Sequence, residues 1–139
     1  MLPGFNEYGY LPKGIHKAAL KEIEDRFGID SVSRKDLFKN LNDLVKVLRA
    51  QKKGIVRFLV NGSYVISVAE PNDIDCIVVL RKYFDFGSRE AFLLKNAKRL
   101  FNVHLFVFME ADNKRYKEIL DFFGHDRDGR LKGLVEVLL

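Results

Sequence analysis

The chain has 139 residues, 47% hydrophobic and 31% charged, with a net charge of +5 and a pI near 9.3. These proportions exclude a disordered or low-complexity chain, and the length reads as one domain, residues 1–139, with a sizeable core. The one cysteine, Cys76, excludes an intrachain disulfide and fits a reducing compartment; with no leader-like start and no apolar run of membrane-spanning length, the expectation is a cytoplasmic protein without a membrane partner.

In chain order, Met1–Lys13 reads as an irregular arm whose Phe5, Tyr8 and Tyr10 pack on the body. Ile15–Phe27 has Ala18, Ala19, Ile23 and Phe27 at helical spacing, with Gly28 as a stop. Ser31 or Ser33 caps a longer helix to about Ala50, with Leu37, Leu41, Leu44, Val45 and Leu48 as its apolar face, and Lys52-Lys53-Gly54 ends it. Ile55–Val60 is the first expected strand, Ile74–Leu80 the second and Val103–Met109 the third. Ser88–Leu100 reads as one helix capped by Ser88, with Phe92, Leu93 and Ala97 facing inward. Asn113–Phe123 is another helix and Gly133–Leu139 a last short strand. Strands alternating with helices predict an α/β domain, a small mixed sheet with helices packed on it.

The basic residues cluster loosely over Arg34–Lys39, Lys46–Lys53 and Lys95–Arg99, each run interrupted by apolar positions. Solvated helix faces and a polyanion-binding groove both account for them.

The chemistry-bearing segment is Phe58–Leu80. An apolar run ends in Gly62-Ser63, and ten residues after Ser63 comes Asp73-x-Asp75, leading into a second apolar run. Glycine at a strand end lets backbone approach a ligand closely. A short helix opened by Ser63 would present free N–H groups to a phosphate. Asp73 and Asp75 leave one face of the strand, roughly 6–7 Å apart at their Cα atoms. Turn chemistry in Pro71-Asn72-Asp73 explains the first carboxylate but not Asp75, which sits in an apolar strand where an unpaired charge is costly. The pair therefore calls for a cation, with Mg²⁺, or Mn²⁺ in its place, as the hard ion suited to carboxylates and a phosphate substrate. On this reading a side chain at Gly62 would block phosphate and leave the carboxylate pair untouched.

Gly62-Ser63, a spacer, and Pro71-Asn72-Asp73-Ile74-Asp75 before a hydrophobic strand resemble the signature of the DNA polymerase β-like nucleotidyltransferase superfamily, most nearly its minimal members. The flanks, Leu11-Pro12-x-Gly14-Ile15-His16, Phe27-Gly28 and Asp126-Arg127-Asp128-Gly129-x-x-Lys132-Gly133, resemble a bacterial family of this type, so the similarity runs nearly end to end. The resemblance implies that Gly62 and Ser63 hold the triphosphate of a nucleoside triphosphate and that Asp73 and Asp75 hold the metal. The acceptor hydroxyl would belong to a protein side chain, an RNA end or a small molecule. It equally implies an alternative, a nucleotide- or RNA-binding module without turnover. Either would be compatible with one component of a toxin–antitoxin or phage-defence pair, whose protein partner is encoded by a neighbouring gene.

Catalysing members of that superfamily usually carry a third acid on the next strand. Apolar alternation through Phe101–Val107 puts His104 at that place, with Glu110 and Asp112 at the strand's far end. An imidazole there can ligate a metal, take the proton of an attacking hydroxyl, mark a site that has lost its base, or simply bond a neighbour. Asp126–Gly129 lacks the glycine and closing glutamate of an EF-hand and reads as a turn before the last strand. His16 and His125 have no metal-ligand spacing and receive no role. Cys76 reads as a small buried hydrophobe. Arg81 and Lys82 face solvent or reach a phosphate.

Overall fold

The computed structural model describes all 139 residues. Five strands form one mixed sheet: β1 (Ile15–Ala18), β2 (Ile55–Asn61), β3 (Ile74–Leu80), β4 (Val103–Met109) and β5 (Leu134–Val137), in the spatial order β1-β5-β2-β3-β4. Five helices pack on it: α1 (Leu20–Phe27), α2 (Val32–Ala50), α3 (Arg89–Lys95), α4 (Ala97–Phe101) and α5 (Asn113–Phe123). β2 runs antiparallel to β3 and β5, while β3–β4 and β1–β5 are parallel. The expected mixed α/β architecture is therefore the observed one. No helix is long and apolar enough to cross a membrane.

The two faces of the central strands bury different layers. Phe58 and Val60 of β2 and Ile74, Cys76, Val78 and Leu80 of β3 join Ile23 and Phe27 of α1 and the Leu37-Leu41-Leu44-Val45-Leu48 stripe of α2 in the larger core. The alternate positions Leu59, Ile77, Val79 and Phe108 meet Phe123 of α5 in a smaller one. Period-2 alternation on strands covered from both sides explains why β2 and β3 read as almost unbroken apolar runs. Cys76 is fully buried, as its alternation predicts.

Local chemistry sets most boundaries. Ser31, not Ser33, caps α2, its hydroxyl accepting the Arg34 N–H at 3.1 Å. Ser88 caps α3 in the same way through Ala91 N–H. The arm lies on the body as expected: Phe5 packs against Phe27, Tyr8 lies against the Arg130 guanidinium, and the Tyr10 hydroxyl donates to Asp126.

Three expectations are corrected. Ile15–Ala18 is a strand rather than the first turn of a helix, because β5 offers it a parallel pairing edge. The Leu134 N–H donates to Gly14 O at 2.9 Å and Leu138 N–H to Ala18 O at 3.0 Å, so the backbone is satisfied by the neighbouring strand. The Ser88–Leu100 helix is broken at Asn96, whose ψ of 22° leaves the helical region while its amide donates back to Phe92 O. Phe92 consequently faces solvent, and Leu94 with Ala97 fills the inward positions. Finally, Ser63 does not open an α-helix. Gly62–Val65 is a single 3₁₀ turn, too short for an appreciable helix dipole.

Candidate active site

The site forms where β2 ends and β3 and β4 begin, on the α5 side of the sheet. Register does the positioning: Asn61 of β2 lies opposite Asp75 of β3, which in turn lies opposite His104 of β4. Residues in register on neighbouring strands share a face, so Asn61, Asp75 and His104 form a polar row across the mouth of an otherwise apolar sheet. His104 thus stands where the sequence alignment put it. Its Nδ1 is 3.4 Å from Asp75 Oδ1, and its ring stacks at 4.6 Å on Phe106.

The other carboxylate oxygen of Asp75 faces Gly62. A Cβ built on Gly62 would run into Asp75 Oδ2 and come within 3.1 Å of its Cγ, and the glycine's φ of +78° is left-handed. Gly62 is therefore required twice, by the turn and by the carboxylate beside it. This corrects the expectation that a side chain at Gly62 would leave the carboxylate pair untouched.

Asp73 precedes β3 and is paired with a lysine. Its Oδ2 lies 3.3 Å from Nζ of Lys98 on α4, which also contacts Asn102. The two carboxylates still interact. Burial, and then the charge of Asp73, raise the Asp75 carboxyl above its ordinary value, with His104 and Lys98 only partly opposing the shift. No group of three or more His, Cys, Asp or Glu side chains is gathered to hold a metal ion. Asp73 and Asp75 nevertheless provide the oxygen donors a hard cation takes, and Asp75 is short of positive charge. Asp73 would have to exchange Lys98 for that ion.

The loop between the two halves of the motif is stitched to α2. Arg34 is buried, and its guanidinium donates to the carbonyls of Phe27, Tyr64, Ile66 and Val68 at 2.6–3.2 Å. Ser33 and Ser31 hydroxyls donate to Pro71 O and Ala69 O. The loop runs from Gly62 to Asp73, so these bonds from α2 anchor the backbone between the glycine turn and the carboxylates. The sequence offers a solvated helix face or a polyanion groove for the Arg34–Lys39 run, and Arg34 belongs to neither. Its place three residues after the cap, on the buried side of α2, was the available signal.

Gly62 and Asp75 open on a cleft of about 640 Å³, closed on its far side by Phe123 at the end of α5 and by His125, Arg127 and Lys132. Ser63, the next residue of the turn, does not line that cleft. Within the facing loop, Asp126 Oδ1 accepts the Asp128 and Arg130 N–H groups, and Gly129 has a φ of +81°. Desolvation opposes ionisation of Asp126, but the Arg130 N–H, the Tyr10 hydroxyl and the Asp128 N–H outweigh it and hold the carboxyl at about 2. That carboxylate is committed to the turn, as the sequence predicted. Asn61 was missed altogether: it is 1% exposed, and neither its Nδ2 nor its Oδ1 has a hydrogen-bond partner. An amide ending an apolar run directly before Gly62 was the visible sign.

The chain belongs to the family of unknown function DUF6932, whose model matches residues 3–138. No curated protein and no solved structure matches it.

Proposed function

We propose that this DUF6932 member is a metal-dependent nucleotidyltransferase that moves a nucleoside monophosphate from a nucleoside triphosphate to a hydroxyl acceptor. The observation that carries the reading is the Asp75–His104 pair across the β3–β4 ladder, with Asp73 at the strand mouth and the Gly62 backbone against the Asp75 carboxylate. Asp73 and Asp75 would hold Mg²⁺ or Mn²⁺, which supplies charge stabilisation at the α-phosphate and at the leaving pyrophosphate. The backbone of the Gly62 turn would bind the phosphate chain, with Ser63, which does not line the cleft, contributing through its place in that turn. With Nδ1 turned to Asp75, His104 keeps Nε2 for the proton of the acceptor hydroxyl, and Asp75 orients the ring for that task. Lys98 pairs with Asp73, and would have to give way for that carboxylate to hold a cation.

The test has two parts. Isothermal titration should detect Mn²⁺ binding that the Asp73→Asn, Asp75→Asn double variant loses. Incubation with α-labelled nucleoside triphosphates, a protein mixture and RNA should transfer label in wild type and not in that variant. Unchanged Mn²⁺ binding in the double variant would sink the site assignment.

A second reading, nucleotide or RNA binding without turnover, is favoured by one observation: Asp73 is already neutralised by Lys98, and an imidazole stands at the third position. Nucleotide binding by wild type with transfer appearing only in His104→Asp would decide for it.

A further inference from the structure

The wall of the cleft opposite Gly62 has no part in the reading above. It carries two cations, Arg127 and Lys132, beside the Asp121 carboxylate, which lies 3.6 Å from His125; neither cation is in an ion pair, although the same loop contains Asp126 and Asp128. Those two acids are taken up by Arg130, at 3.4 and 2.7 Å, and by backbone and Tyr10. Lys132 is steadied by the Tyr10 ring, 5.7 Å from its Nζ, and its backbone N–H donates to Gly124 O at 2.8 Å. The loop thus spends Arg130 on its own acids and leaves Arg127 and Lys132 facing the cleft. On the sheet side, Asn61 lies in register with Asp75 and next to Gly62, buried and without hydrogen-bond partners. Buried amides without partners are rare in folded proteins; this one adjoins Gly62 in the chain but is not among the residues that line the cleft.

We infer that Arg127 and Lys132 form the second wall of a phosphate-chain site, which grips a triphosphate against the Gly62 turn. Two separate cations on one wall suit an elongated polyanion better than a single carboxylate. Arg127 offers a planar fork to two phosphate oxygens, and Lys132 a point charge to the next group. On the other side the chain would meet the Gly62 backbone and the Asp75 carboxylate that fills the place of a side chain there. The inference rests on the transferase reading only for which triphosphate is bound; the polyanion site itself stands on this geometry.

The experiment uses inorganic tripolyphosphate as probe, titrated calorimetrically into the full chain in EDTA, so that no metal contributes. Arg127→Gln with Lys132→Gln should weaken binding at least tenfold. The control pair Lys46→Ala with Arg49→Ala, exposed on α2, removes the same charge elsewhere and should change affinity less than twofold. Equal loss in both pairs would reduce the effect to net charge and overturn the site, as would no binding by wild type at millimolar probe. A nucleoside triphosphate should displace the probe; displacement only by a ribo-oligonucleotide would assign the wall to an RNA backbone and refute the inference. Tripolyphosphate binding with no nucleotidyl transfer would discard the transferase reading and keep this site. Transfer with an unchanged KM for nucleotide in the Arg127, Lys132 double variant would do the reverse.

Discussion

Gly62→Ala tests the junction of the two motif halves, and its cost can be worked from the geometry. The φ of +78° carries a penalty of roughly 1–2 kcal/mol for any residue with a Cβ. That Cβ would also collide with the Asp75 carboxylate and sit 3.2 Å from its Cβ, an overpacking worth roughly 1–3 kcal/mol. The single variant should therefore lose roughly 2–5 kcal/mol. Asp75→Ala removes the colliding oxygens along with a carboxylate that burial and Asp73 disfavour, so alone it should be close to neutral in stability. In the double variant the steric part disappears and the backbone part stays. Urea unfolding of all four proteins at pH 7 in EDTA should yield a coupling of at least 1 kcal/mol, with Asp75→Ala partly rescuing Gly62→Ala. Additivity within 0.5 kcal/mol would refute the claim that glycine is needed there because of the carboxylate.

Asp75 also predicts a pH dependence. Its carboxyl titrates above the ordinary 3.8 when folded, so the folded state holds the proton more tightly than the unfolded chain. That stabilisation is complete below the unfolded value and lost as pH rises through the folded one. Asp75→Asn should thus gain stability relative to wild type between pH 3.5 and 7, read by chemical denaturation; a flat difference would refute the shift. Arg34→Met strips donors from four carbonyls and should cost roughly 3–5 kcal/mol. A urea-measured loss under 1 kcal/mol would show that the loop holds without the guanidinium. If His104 takes the acceptor proton, His104→Ala should lower label transfer roughly 100-fold while nucleotide binding persists, and His104→Asp should retain activity. Transfer by His104→Ala within threefold of wild type would make the residue structural.

Much of this protein is written locally. The α2 stripe from Leu37 to Leu48, the Ser31 and Ser88 caps, and the apolar runs of β2, β3 and β4 are set by side-chain period and capping chemistry, which act over a few residues. The same locality made Gly62, Asp73 and Asp75 visible, because glycine after a strand and carboxylates leading into one are anomalies wherever they occur. Alternation, laid on the third-acid position that the family resemblance implies, put His104 beside Asp75, where the β3–β4 register places it. What the sequence could not decide were relations between distant segments. Ile15–Ala18 became a strand only because residues 134–137 offered it an edge. Asp73 turned to Lys98, Arg34 became a buried clamp on Tyr64 and Val68, and Asn61 came to lie beside Asp75, each through packing against segments 14 to 34 residues away. The far wall of the cleft came from the loop before β5, more than 60 residues after Gly62. Such pairings depend on burial and hydrogen-bond satisfaction across the whole sheet, and no local pattern encodes them.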